Sequence, residues 1–295
     1  DVTFECDGEG NYNDITTWID SNGGASATDE CGNVFWSNNL TNLPTGCART
    51  GSIEVIFTAT DLCGNESRDT AILNIEDNTN PLIAITAQDT IAECDGSGNN
   101  TLLANWLNNN GGATISDGCS ENSLSWSNDY SGGGVPALAN CNNDTTNVLT
   151  VVFTATDDCG NAVSTSGRFI IIDTSDPTIT AVAQDTIVEC DGLGNTTALT
   201  NWLNNNGGGT AGDDCNSASG FSWSNDYAGG GVPALVNCNN DTTNILTVVF
   251  TATDDCGNAV STNARFIILD TTAPTITAVA QDTIVECDGL GNTTA

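Results

Sequence analysis

The sequence has no histidine, no methionine and no lysine, and its basic side chains are four arginines. Each absence removes a class of function. Without histidine there is no nucleophile–imidazole pair. A zinc knuckle is also excluded, because no Cys-x-x-Cys spacing occurs either. Four Lys+Arg against 38 Asp+Glu leave a formal net charge of −34. Such a surface repels DNA, RNA and anionic membranes, since holding phosphate needs cationic side chains. No apolar run approaches the ~18 residues of a membrane span. Among 38 acids a glycosidase-type carboxylate pair is conceivable, yet an active site is not expected in every copy of a repeat. The chain is expected not to be an enzyme.

What is present is a repeat. Phe250-Thr-Ala-Thr-Asp-Asp-Cys256-Gly-Asn258 has counterparts at Phe153–Asn161 and, with Leu62 replacing the second aspartate, at Phe57–Asn65. Pro177 to Ala198 reads the same as Pro274 to Ala295, an offset of 274 − 177 = 97. The preceding offset, from Pro81, is 177 − 81 = 96. The units are therefore 1–80, a partial first repeat; 81–176; 177–273; and 274–295, the start of a fourth. A period of this size suits an independently folding domain better than a solenoid turn. The chain is expected to be a window on a longer tandem array.

The 13 cysteines fall in register: 6, 31, 47, 63; 94, 119, 141, 159; 190, 215, 238, 256; and 287. Four per unit implies two disulfides per unit, hence an oxidising compartment outside the cell. The acidic surface attracts cations, calcium above all. Six tryptophans and alternating strands argue for packed cores and against disorder.

Along one unit, Thr178–Cys190 reads as a single first strand. Leu199, Trp202 and Leu203 stand at i, i+3, i+4 before Gly207-Gly208, a short helix with a glycine stop. Phe221–Asn225 reads as a strand that buries Trp223 centrally. Leu246, Val248, Phe250 and Ala252 alternate with polar residues, as a half-buried antiparallel strand does. Arg265–Asp270 closes the unit. The expected fold is all-β: tandem immunoglobulin-like β-sandwich beads of about 97 residues, each with one short helix and two disulfides, in an extended array.

"Val-x-Phe-Thr-Ala-Thr-Asp-x-Cys-Gly-Asn", a closing strand and "Asp-Thr-Thr-Ala-Pro-x-Ile" resemble the hyalin repeat (HYR) family of immunoglobulin-like modules. "Glu-Cys-Asp-Gly" and "Trp-Leu-x-x-Asn-Gly-Gly" are similar to HYR-like repeats in very large secreted surface proteins of Bacteroidota, adhesins exported by the type IX system. The resemblance spans the whole chain and implies a spacer or adhesive module at the cell surface.

Four cysteines allow three pairings. In an immunoglobulin-like sandwich Cys190 and Cys238 would share one end, and Cys215 and Cys256 the other. That topology gives Cys190–Cys238 and Cys215–Cys256, with equivalents Cys94–Cys141, Cys119–Cys159, Cys6–Cys47 and Cys31–Cys63. Calcium (Ca2+) has two candidate places. One is the Asp-Gly-x-Gly-Asn loop, at Asp95 and Asn99 and at Asp191 and Asn195, which lacks the downstream glutamate of an EF-hand. The other is the unit boundary, at Asp173, Asp176 and Asp270. Asp, Gly and Asn are also plain turn residues. Asp-Thr-Ile triplets resemble the O-glycosylation motif of Bacteroidota and mark Thr90, Thr186 and Thr283. Tyr130 and Tyr227 are the aromatics expected to be exposed.

Taken together, the expectation is a structural stalk or filament segment of a giant secreted cell-surface adhesin. Its partners would be neighbouring repeats, other copies of the filament or surface polysaccharide. One alternative makes each repeat a glycan- or protein-binding module acting by avidity. Another makes the chain a subunit of a laterally or end-to-end polymerised extracellular filament.

Overall fold

A computed structural model describes residues 1–119, 123–132, 147–215, 220–229 and 244–287. The first repeat contains β1 (Val2–Glu5), α1 (Tyr12–Asp20), β2 (Phe35–Asn38), β3 (Gly51–Thr60) and β4 (Glu66–Glu76). The second contains β5 (Leu82–Ile85), β6 (Thr90–Glu93), α2 (Asn100–Asn108), β7 (Thr114–Ser116), β8 (Ser125–Asn128), β9 (Val148–Thr156) and β10 (Ala162–Ile172). The third repeats this as β11 (Thr178–Ala181), β12 (Thr186–Glu189), α3 (Thr196–Asn204), β13 (Thr210–Gly212), β14 (Ser222–Asn225), β15 (Ile245–Thr253) and β16 (Ala259–Leu269).

Each repeat is built on a four-stranded sheet, in the orders β1-β4-β3-β2, β6-β10-β9-β8 and β12-β16-β15-β14. The long central hairpin is antiparallel, as in β15–β16, where Phe250 faces Thr262. The first strand of each sheet joins the last in parallel, as β12 does β16. In the second and third repeats a two-stranded antiparallel ribbon, β5–β7 or β11–β13, completes a sandwich-like unit. The chain is mostly β with short helices, as expected.

The alternation in β15 works as read. Val248, Phe250 and Ala252 are buried, and Ala264, Phe266 and Ile268 of β16 join them. Helix α3 closes this face with Leu199 and Trp202. The Trp202 ring meets Phe250 edge-on at 5.1 Å and Phe266 at 5.6 Å. Trp106 repeats the arrangement against Phe153 and Phe169, and Trp18 against Phe57. Edge-to-face geometry sets the positive ring edge on the negative face, beyond the burial itself.

Two expectations need correction. The stretch from Thr178 to Cys190 is two strands in two sheets. Between them the backbone bonds elsewhere: Ala183 N–H donates to Thr262 Oγ1 at 3.2 Å and Gln184 N–H to the Gly207 carbonyl at 2.8 Å. The Gln184 carbonyl accepts from Trp202 Nε1 at 3.1 Å. That indole anchor explains the break. Trp223 lies on β14, an edge strand, and is only half-buried; the buried tryptophan is the helical one.

The chain forms two compact units: residues 1–175 with 213–220 and 254–258, and residues 176–212, 221–253 and 259–295. Two short segments of the third repeat thus belong to the first unit.

Candidate functional site: the turns at the repeat boundary

The site is assembled by two recurring turns that place an aspartate ahead of a cysteine. After β9, Asp157 Oδ1 accepts the amides of Cys159 at 2.9 Å and Asn161 at 2.8 Å, and its Oδ2 accepts Asn161 Nδ2 at 2.9 Å. Asp254 treats Cys256 and Asn258 alike, at 2.8, 2.9 and 3.0 Å. In the other turn, Asp117 Oδ1 accepts the Cys119 amide at 2.7 Å, and Asp213 Oδ1 the Cys215 amide at 2.7 Å. The aspartate rigidifies the turn and so aims the cysteine.

Both turns reach back to the repeat before. Asn161 Nδ2 donates to the Asp77 carbonyl at 3.0 Å, and Asn258 Nδ2 to that of Asp173 at 3.3 Å. Ala48 N–H donates to Asp158 Oδ2 at 3.2 Å. The covalent contacts follow the same rule. Cys6 is bonded to Cys119 and Cys47 to Cys159, with Cα–Cα distances of 5.5 and 5.2 Å.

The expected pairing within a repeat is therefore corrected. Cys6–Cys47 and Cys119–Cys159 do not form, because these cysteines bridge successive repeats. Cys31 and Cys63 carry free, exposed thiols, so the expected Cys31–Cys63 bridge is absent from this structure. Cys256 is disulfide-bonded while Cys215 is not, so Cys215–Cys256 is excluded. Cys94 and Cys190 carry free thiols, and the partners expected for them, Cys141 and Cys238, lie outside the described residues. The expectation failed on topology: cysteines placed at opposite ends of one unit meet the ends of its neighbour.

Carboxylates crowd the same boundary. Glu5 Oε1 accepts the Asn78 amide at 2.7 Å and the Thr79 hydroxyl at 2.8 Å, tying down the connecting segment. Those bonds, the Asn78 amide foremost, hold the Glu5 carboxyl below its usual range. Asp77 is only 8% exposed, and its Oδ2 has no hydrogen-bond partner. Burial pushes its carboxyl up, and the negative charges of Asp157, Asp117 and Glu5 add to that. At the next boundary burial likewise raises Asp173, with Asp213, Asp254 and Glu93 as the like charges. Carboxylate oxygens of Glu5 and Asp77 gather with the sulfurs of Cys6 and Cys119 within 4.8 Å of one another, and Asp173, Asp213 and Cys215 form a second such group. In the first group the sulfurs are tied up in a disulfide, so oxygen donors remain, which suit a hard cation.

Of the expected metal ligands, Asp173 is in such a group. Asp176 and Asp270 are exposed, outside both groups. The loop residues serve helix entry. Asp191 Oδ1 accepts the amides of Leu193 at 2.8 Å and Asn195 at 2.9 Å, and these bonds hold its carboxyl low, Asn195 foremost. Asn195 sits at φ 51° and donates from Nδ2 to the Glu189 carbonyl at 2.7 Å. Asp95 and Asn99 repeat this. The sequence reading missed Glu5, Asp77, Asp117, Asp157, Asp213 and Asp254. For Asp117, Asp157, Asp213 and Asp254 a signal was available, since an aspartate recurs two residues before a cysteine in each of the first three repeats; Glu5 and Asp77 carry no such mark.

Thr90 and Thr186 are half-buried first residues of β6 and β12, paired with Phe169 and Phe266. The preceding Asp185 binds Arg265 Nε at 2.9 Å and Nη2 at 2.6 Å, and Asp89 binds Arg168 in the same way. Thr283 is exposed. Tyr130 and Tyr227 pack against the cores, while Tyr12 is 61% exposed. Tyr12 lines a cavity of about 720 Å³ together with Ile15, Leu40, Leu43, Pro44 and Arg49.

No helix among the described residues is long and apolar enough to cross a membrane. No protein-family model matches the chain. No curated protein matches it. Among solved structures, it is similar to protocadherin gammaB7 EC3-6 at 13% identity, covering 79% of this chain and 68% of that one, with a TM-score of 0.31. Drosophila N-cadherin EC1-4 gives 12% identity, 82% and 68% coverage and a TM-score of 0.31. Mouse cadherin-23 EC22-24 gives 13%, 75% and 74%, and 0.28. The chain superposes on all three only loosely.

Proposed function

We propose that this chain is a structural segment of an extracellular stalk or filament, in which serial repeats are joined both by peptide and by sulfur. The observation that carries this reading is the pair of bridges Cys6–Cys119 and Cys47–Cys159, which cross from one repeat to the next. Disulfides of this kind persist outside the reducing cytosol. The formal charge of −34 keeps such a chain soluble and away from nucleic acid. In this reading the HYR-like repeats belong to a giant Bacteroidota surface adhesin, and their partners are first of all each other. The boundary carboxylates are its cation sites, with calcium the fitting ion. The buried, unpartnered Asp77 Oδ2 supports that assignment, because a carboxylate oxygen removed from water calls for a positive charge.

The test is detection of the repeat on intact, unpermeabilised cells with a specific antibody, followed by the reduced mass of material sheared from them. Surface signal with a mass of many hundreds of kilodaltons supports a single giant stalk chain. Signal only after lysis overturns the reading. For the cation, calorimetric titration to millimolar calcium should show binding, and no heat would remove it.

A further inference from the structure

We propose that Cys94 and Cys215 form a third disulfide between repeats, so that the first cysteine of one repeat is joined to the second cysteine of the next as a rule of this chain. Both are free thiols here. Their surroundings nevertheless copy those of the bonded pair Cys6–Cys119 part by part. Cys6 extends the first strand of its sheet, its amide donating to the Glu76 carbonyl at 2.9 Å; the Cys94 amide donates to the Ile172 carbonyl at 2.8 Å. Cys119 and Cys215 are each held by the aspartate two residues before, both at 2.7 Å.

The backbones close on one another in the same way. A Cβ built on Gly8 would stand 2.2 Å from the Gly118 carbonyl oxygen, and one on Gly96 would stand 2.6 Å from that of Asp214. Each glycine lies two residues after the first cysteine, and each carbonyl belongs to the residue before the second. Only a residue without a Cβ permits such an approach. Cys215 is buried, and Cys94 is among the groups close enough to act on its thiol. The two sulfurs are thus already neighbours.

Oxidation needs an external disulfide, a small-molecule or protein R–S–S–R. The half-buried Cys94 reaches it first: its thiolate attacks one oxidant sulfur, the oxidant bond breaks and R–S⁻ leaves. The Cys215 sulfur then gives its proton to solvent and attacks Cys94 sulfur, displacing the second R–S⁻. Two thiols have lost two electrons and two protons, and the oxidant has become two R–SH. Burial, with Cys94 beside it, pushes the Cys215 thiol up, so this second step is expected to be the slow one.

The experiment is peptide mapping of the whole chain, produced under oxidising conditions, alkylated without reduction and digested with pepsin at low pH. The expected product is a peptide pair joining Cys94 to Cys215, alongside Cys6–Cys119 and Cys47–Cys159. In Cys215→Ser, alkylation at Cys94 should rise from near zero to near completion. Recovery of Cys94 and Cys215 as alkylated thiols in the oxidised wild type would overturn the proposal. So would linkage of either one to a different cysteine, or thiols that become alkylatable on adding a chelator, which would mark a metal group with Asp173 and Asp213.

Discussion

At the scale of single residues, the turn after each helix shows how little freedom the core leaves. Gly207 has φ +63°, and a Cβ there would stand 3.0 Å from the Phe250 ring and 3.1 Å from Ala183; Gly208 has φ +81° with open space around it. Both positions disfavour a side chain by roughly 1–2 kcal/mol on conformation alone. Gly207→Ala should therefore lower stability more than Gly208→Ala, read from denaturant midpoints of the two variants. Phe250→Ala, which empties the slot facing Trp202, should lose about 3–5 kcal/mol by the same measurement.

The buried aspartates give a pH dependence of a definite sign. Burial raises Asp77 above its usual 3.8, so the folded state holds this proton more tightly than the unfolded chain does. The stability this contributes is full below that value and is lost as pH rises through the higher folded pKa. In chelator, wild type should lose stability relative to Asp77→Asn as pH rises from about 4 toward 7. Thermal unfolding of both proteins across that range reads it, and parallel curves would refute it. Asp191 acts with the opposite sign. Its carboxyl is held low, so its contribution is present above about 3.8 and fades as pH falls through the folded value.

At the scale of elements, the helices and the central hairpins could be read directly. Leu199 and Trp202 fell one helical turn apart, and Val248, Phe250 and Ala252 alternated; both patterns report a buried face, and both faces are buried. The split of the first strand could not be read, because Ile, Val and Thr run through it. What divides it is a bond from the Trp202 indole to the Gln184 carbonyl, made 18 residues away. The Asp-Gly-x-Gly-Asn loop is oxygen-rich because Asp191 and Asn195 hold a left-handed helix entry. Asn195→Ala would lose the bond to the Glu189 carbonyl and keep the unfavourable φ, so it should lower stability by about 1–3 kcal/mol. Unchanged stability would mean that the loop is held by Asp191 alone.

At the scale of the whole molecule, the cysteine register announced disulfides and hid their direction. Spacing says that copies are equivalent, and it is silent on whether a cysteine meets its own unit or the next. Cys6–Cys119 and Cys47–Cys159 close stretches of 113 and 112 residues, each worth about 4–5 kcal/mol in the chain-entropy account. The consequence is easily checked. With a protease site inserted between Asn78 and Pro81, the cut protein should run as one species without reductant and as two with it. Separation without reductant would return the bridges to the interior of single repeats.

The same bridges decide how the chain would answer to a pull. Tension entering near Cys6 passes through sulfur to Cys119, and the residues between are spared it. At roughly 3.3–3.6 Å per residue, a separation of 113 residues keeps about 370–410 Å of contour in reserve. Under load the intact chain would yield only short lengths. A reducing agent would release the reserve, so that its extensibility is set by the redox state of its surroundings.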